Sequence, residues 1–204
     1  MNSQNNVAAI LLAAGTSSRM GRGNKLLLKI ADKTVLQWSV ENVLASKVTQ
    51  VFVVAGKGFE EVQRYLSQFE VTVVHNSNYQ SGISASLKAG LKMLASSTDG
   101  ALILLADQPN LQPQTLNCFL ELFSEGDKKI IAGQYDPITG NPVLFHRKCF
   151  NDLLQLQGDV GARSLLKRFP GEIATVEIPP EQSLDIDSPE DFSKMRTILE
   201  SRVA

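Results

Sequence analysis

The chain alternates two hydrophobic rhythms. "VAAILLA", residues 7–13, is a continuous apolar run, the pattern of a strand buried on both faces. In "KTVLQWSVENVLAS", Val35, Leu36, Val40, Val43 and Leu44 fall at helical spacing and share one face. "VTQVFVVAG" reads as a second buried strand, "FEEVQRYLSQF" as an amphipathic helix and "VTVVHN" as a strand. "SASLKAGLKMLAS" places Leu87, Leu91 and Leu94 on one helical face. "GALILLAD" is a strand again, and "QPQTLNCFLELFS" a helix with Pro113 near its start. Strand and helix alternate in this way up to Ser124. That rhythm predicts βαβ units and an α/β fold: a doubly wound, mostly parallel sheet with helices on both faces.

Beyond Gly126 the rhythm loosens. "KIIAGQYD" and "NPVLFHR" predict two strands around a turn at "PITGNP". Two helical segments, "CFNDLLQL" and "ARSLLKRF", precede a strand "EIATVEIP". "SPEDFSKMRTILES" is the last helix, with Ser188 as N-cap, Pro189 in the first position and acids in the first turn. There is no internal repeat, low-complexity tract or linker, so residues 1–204 are expected to form one domain.

Composition changes this picture little. The 204 residues are 43% apolar and 20% charged, with a formal net charge of −1. No global field attracts nucleic acid or a membrane surface. Cys118 and Cys149 are too few for a disulfide framework, and neither they nor His75 and His146 stand in zinc-ligand spacing. A reduced, cytoplasmic protein is expected. The N-terminus lacks a basic segment ahead of its apolar run, which argues against a signal peptide. No apolar stretch approaches the ~20 residues of a membrane span.

The candidate chemistry begins after the first strand. Ligands in doubly wound sheets sit beyond the carboxyl ends of the strands, where "LAAGTSSRMGRGNKLLL" lies. Ala13, Ala14 and Gly15 are small enough for a ligand to approach the backbone. Thr16, Ser17 and Ser18 add hydroxyls, and Arg19, Arg22 and Lys25 add positive charge. Three cations on a pliable loop suit a polyphosphate. A glycine-rich turn with solvated basic residues would look the same. The spacing matches neither a Walker A loop nor a dinucleotide fingerprint.

Two acidic stretches complete the pattern. Asp107, in "LILLADQP", ends the fourth predicted strand of the alternating part and faces the same edge. A carboxylate there suits Mg²⁺, which takes one or two carboxylates plus substrate phosphates. It would equally serve as a helix cap. In "LDIDSPED", Asp185 and Asp187 alternate on an extended segment and point to one side. Asp187 could reach the same metal while Asp185 ties down the turn; capping of the last helix is the other reading.

These residues carry a resemblance. The first loop with "LLADQP" looks like nucleotidyltransferases that activate small substrates with an NTP. "NYQSGISASLKAGL", "GNPVLF", "LLQLQGDVGARSLL" and "LDIDSPEDF" resemble, in order, the molybdenum cofactor cytidylyltransferases of the MobA-like NTP transferase family. The resemblance runs from about Val7 to Phe192. It implies a Rossmann-like fold of the nucleotide-diphospho-sugar transferase type. It implies transfer of CMP from CTP to the terminal phosphate of molybdopterin, with pyrophosphate leaving. By position, Leu12, Ala13, Ala14 and Gly15 would line the nucleotide, and Arg19 and Lys25 would bind its phosphates. Gly82 and Ser84 would meet base and ribose, and Asp107 and Asp187 would hold Mg²⁺. The nucleotide half is then about residues 7–125 and the acceptor half about 126–204.

Leu-Ala-Ala-Gly, rather than Leu-Ala-Gly-Gly, resembles the cytidine-using members, so the guanylyltransferase is the neighbouring alternative. NTP transfer to another phosphorylated small molecule also stays open. Asn141 in "GNPVLF" and Arg163 in "GDVGAR" are candidate acceptor contacts, each with an ordinary loop reading beside it. A phosphate nucleophile is already anionic, so Lys25, Arg19, Asp107 and Mg²⁺ suffice without a strong general base. A molybdoenzyme would be the separate partner receiving the product. A non-catalytic carrier of the cofactor is the rival from another class. His75 is expected as a satisfied edge histidine, and Cys118 as a small core residue.

Overall fold

The first strand, β1 (Val7–Ala13), leads through a loop to a short hairpin of β2 (Lys29–Ile30) and β3 (Lys33–Thr34). A computed structural model describes residues 5–15, 24–135 and 137–202. Arg19 and Arg22, with Thr16, Ser17 and Ser18, lie outside the described residues. Next come α1 (Val35–Leu44), β4 (Gln50–Ala55), α2 (Phe59–Leu66) and β5 (Thr72–His75). They are followed by α3 (Ile83–Leu91), β6 (Gly100–Leu105) and α4 (Pro113–Glu125). The chain closes with β7 (Ile130–Tyr135), β8 (Ile138–His146), α5 (Phe150–Leu154), β9 (Ile173–Glu177) and α6 (Pro189–Ser201).

The main sheet has the order β5-β4-β1-β6-β8-β7-β9. Its pairs are parallel except where β8 runs against β6 and β7. The chain builds outward from β1 to β5, then returns to the other side of β1 with β6. Strand order reverses at that point, which opens a crevice at the carboxyl ends. The ends are level there: Ala13 pairs with Ala55, and Leu12 with Leu105.

Side-chain alternation explains the two covered faces. Val7, Ala9, Leu11 and Ala13 join Trp38, Phe119 and Met195 in one core. Ile10 joins Leu87, Leu153 and Leu165 in the other. A capping box starts α1: Gln37 N donates to Thr34 Oγ1 at 3.2 Å, and Thr34 N to Gln37 Oε1 at 2.9 Å. Trp38 Nε1 donates to Ile30 O at 3.1 Å, pinning the β2–β3 hairpin just after the first loop.

Three details differ from the pattern reading. "PITGNP" is mostly ladder, not turn: Tyr135 pairs with Ile138 and Gln134 with Thr139, past a bulge between Ala132 and Gly133. Glycine and proline marked the bulge rather than the turn. "ARSLLKRF" forms a 3₁₀ run over Ala162–Lys167. Buried Ala162 and Leu165 stand three apart, a spacing that serves either helix type. Cys118 is exposed, because Leu116, Phe119, Leu120 and Phe123 set the inward face of α4 and it falls outside that face. His75, at the sheet edge, stacks on Phe59 with ring centroids 4.5 Å apart. Among the described residues no helix is long and apolar enough to cross a membrane.

Candidate active site

At the end of β1, Ala13 is buried while Ala14 and Gly15 reach the surface. Among the described residues, a Cβ added at Gly15 would meet nothing within 4 Å. Leu12 is half-buried behind it. The chain re-enters through a 3₁₀ turn, Lys25–Leu27. Asn24 caps it by accepting from Leu26 N at 3.1 Å, and buried Leu26 anchors it. These contacts aim Lys25 across the crevice.

Lys25 Nζ donates to Asp107 Oδ2 at 2.6 Å and to Asp187 Oδ1 at 2.8 Å. Burial works against the ammonium, but the two carboxylates outweigh it and hold its pKa above the ordinary lysine value. Asp107 follows β6. Its backbone O accepts from Ile186 N at 3.0 Å and so draws the segment 185–187 alongside. Asp187 is set by the start of α6, where Ser188 and Asp191 form a capping box and Asp187 N donates to Asp191 Oδ2 at 3.3 Å.

Two carboxylates far apart in sequence, Asp107 at mid-chain and Asp187 near its C-terminal end, thus converge on one cation. Asp107 Oδ1 is buried with no hydrogen-bond partner among the described residues. An orphaned carboxylate oxygen beside a second carboxylate fits a hard divalent cation that completes its shell with phosphates and water. Among the described residues no group of three or more His, Cys, Asp or Glu is placed to cage a metal.

Gly82 and Ser84 sit at the start of α3, which is met by the chain's own 158–161 loop. Gly82 has φ +93, and a Cβ there would lie 2.5 Å from the Gly158 carbonyl. Ser84 is only 3% exposed, and its N–H donates to Gly158 O at 3.3 Å. Ile83 N donates to Asp159 Oδ1 at 3.3 Å. Gly82→Ala combines positive-φ strain with a backbone clash. We expect a loss of at least ~2 kcal/mol, read as a melting temperature lower by roughly 4–8 °C in calorimetry.

Arg163 lies beside β8 next to Gly140, the residue that precedes Asn141. Arg163 lies across Gly140, its Nε 3.8 Å from where a Cβ would stand, and the Tyr135 ring is 4.0 Å from the same point. The Tyr135 hydroxyl donates to the backbone O of Asn141. Gln108 Nε2 donates to Asp185 Oδ1 at 2.7 Å. Burial, then the Asp185 charge, push the Tyr135 phenol up to about 12. Gln108 and Tyr135 were not singled out by sequence reasoning. Their only signals were adjacency to Asp107 in "ADQP" and a strand-terminal place in "AGQY".

Partial desolvation, followed by the Asp107 and Asp187 charges, pushes the Asp185 acid up to about 6. Its folded pKa lies above its unfolded value. The folded state therefore binds more protons than the unfolded one between pH 3.8 and about 6, and stability falls as pH rises through that window. Asp185→Asn removes this contribution. Its melting temperature relative to wild type should be higher at about pH 7.5 than at about pH 4; an equal offset at both would contradict this.

Comparison with known proteins gives the class. Residues 9–174 match the MobA-like NTP transferase domain. The chain belongs to that family and is a nucleotidyltransferase by membership. It is similar to the molybdenum cofactor cytidylyltransferase of Escherichia coli (strain K12), at 32% identity over 187 residues, 91% of this chain and 93% of that protein. It is also similar to the purine catabolism protein PucB of Bacillus subtilis (strain 168), at 31% identity over 93% of this chain and 96% of that protein. Among solved structures, a nucleotidyl transferase from Methanothermobacter thermautotroptrophicus superposes with a TM-score of 0.84 at 28% identity, covering 97% of this chain and 99% of that one.

Proposed function

We propose that the protein transfers CMP from CTP to the terminal phosphate of molybdopterin and releases pyrophosphate. The observation that carries this reading is the Lys25–Asp107–Asp187 cluster at the carboxyl edge of the sheet, where β1 runs out to the exposed Gly15. Similarity to the Escherichia coli cytidylyltransferase supports the choice of substrates. In this reading Leu12, Ala13, Ala14 and Gly15 line the nucleotide, with Gly82 and Ser84 toward base and ribose. Asn141 and Arg163 take the acceptor. One domain does both, with nucleotide held by about residues 7–125 and acceptor by about 126–204. The reaction would take place in the cytoplasm, and a molybdoenzyme would receive the product.

The acceptor phosphate oxygen attacks the α-phosphorus of CTP. A new phosphorus–oxygen bond forms as the α–β anhydride bond breaks, and both electrons of that bond leave with pyrophosphate. No proton needs to be removed first, so the work is charge neutralisation and alignment. Lys25 supplies a fixed ammonium beside the reacting phosphates, and Arg19 a second cation. Asp107 and Asp187 would hold Mg²⁺, which when bound neutralises phosphate charge. Arg163 would hold the acceptor's phosphate, and Asn141 its ring.

The test is product identification. Protein, Mg²⁺, CTP and molybdopterin should give a CMP–pterin conjugate by mass spectrometry, with an equal amount of pyrophosphate. Cofactor bound but recovered unchanged, with no pyrophosphate, would point to a carrier instead.

A further inference from the structure

Folded proteins rarely leave buried polar atoms without partners, so each that remains calls for an explanation, and at a functional site a bound group is one. Among the described residues four buried side-chain atoms lack a partner: Thr98 Oγ1, Asp107 Oδ1, Gln108 Oε1 and Asn141 Oδ1. Three of the four belong to the site described above. Asp107 Oδ1 suits a cation. The other two are amide oxygens on the acceptor side of Asp107, and they ask for hydrogen-bond donors.

The orientation of Gln108 is determined by its neighbours. Only 6% of the residue is exposed. Its Nε2 donates to Asp185 Oδ1 at 2.7 Å, and a carboxylate can only accept. The amide nitrogen therefore faces Asp185, and Oε1 is left as an acceptor with nothing to accept. Tyr135 lies within the field of that same Asp185 carboxylate, and its hydroxyl donates to the Asn141 backbone O. Two unsatisfied acceptors thus flank Asp185 and Tyr135, one on Gln108 and one on Asn141.

We propose that Gln108 is a specificity-determining residue that reads the acceptor. With Asn141 it accepts hydrogen bonds from an N–H edge of a heterocycle, the 2-amino edge of a pterin, while Asp185 acts as a positioning residue that stops the amide from turning round. This inference rests on the molybdopterin reading above and adds to it the residue that recognises the ring. A ring carrying oxygen where the pterin carries its amino group would set acceptor against acceptor and be rejected.

The experiment is a fluorescence titration of the full chain with 6-hydroxymethylpterin phosphate and with the corresponding lumazine, whose 2-position carries oxygen. CTP affinity is measured alongside as the control for folding. Wild type should bind the pterin about ten-fold or more tightly than the lumazine, the scale of one or two net hydrogen bonds. Gln108→Met keeps the side-chain length and removes the acceptor. It should lose that preference through weaker pterin binding, with lumazine and CTP binding within about two-fold of wild type. Asp185→Ala leaves Gln108 in place but frees its amide, and should reduce the preference by a smaller factor. A mere packing role for Gln108 would shift both pteridines alike. If Gln108→Met keeps the full pterin preference, Gln108 does not read the acceptor and this inference falls while the proposed reaction stands. If Gln108→Met loses CTP binding too, Asp185→Ala decides, and an unchanged preference there overturns the inference. A wild type that binds CTP but neither pteridine would remove the molybdopterin reading itself.

Discussion

Asp107→Ala is expected to lower nucleotidyl transfer by on the order of a thousand-fold or more while leaving the fold intact. The two effects separate because they depend on different atoms. The structural contact of Asp107 is made by its backbone O, which accepts from Ile186 N at 3.0 Å and survives the substitution. Its side chain meets Lys25 Nζ through Oδ2, while Oδ1 has no partner among the described residues. Removing an unsatisfied buried oxygen costs the fold little, and Lys25, on losing Oδ2, keeps Asp187 Oδ1 at 2.8 Å as a partner. The melting temperature should therefore stay within a few degrees of wild type, and binding of Mn²⁺ in the presence of CTP should be lost. Substantial residual turnover would assign the metal elsewhere.

Lys25→Ala should lower kcat/KM by roughly a hundred- to a thousand-fold, the usual loss when one preorganised charge is removed from a transition state. It should also do something an ordinary catalytic deletion does not. The Lys25 ammonium lies 2.6 Å from Asp107 and 2.8 Å from Asp187, the same carboxylates proposed for the metal. Lysine and metal therefore compete for one pair of acids. Without nucleotide, Mn²⁺ should bind Lys25→Ala more tightly than wild type, measured by calorimetry, although the variant is far less active. Weaker Mn²⁺ binding in the variant would show that the lysine organises the acids rather than occupying the metal's place.

Much of the fold could be read from the chain because its signals were local. "VAAILLA" and "GALILLAD" are apolar throughout, as strands between two helix layers must be, and they form the centre of the sheet. The capping residues Ser188 and Pro189 fixed the start of the last helix. The second half was harder. The β7–β8 ladder runs through residues that look like a turn, because pairing of Ile138, Thr139 and Gly140 with Tyr135, Gln134 and Gly133 holds extended a segment whose own composition does not. The antiparallel β8 also could not be read, since strand direction depends on long-range pairing. At the site, Lys25, Asp107 and Asp187 stood out as charges at an expected sheet edge. Their mutual contact did not, because 162 residues separate Lys25 from Asp187. Gln108 was hidden for another reason. A neutral amide beside a carboxylate draws no notice until its partners show which end is left unsatisfied.

The central claim is a cytidylyl transfer at this cluster, and pyrophosphate release tests it most directly. Wild-type protein with Mg²⁺ and molybdopterin should release pyrophosphate from CTP and not from GTP, and release should require the pterin. Release from GTP instead would keep the chemistry and contradict the cytidine assignment of Ala13, Ala14 and Gly15. Silence with both nucleotides would contradict the account itself.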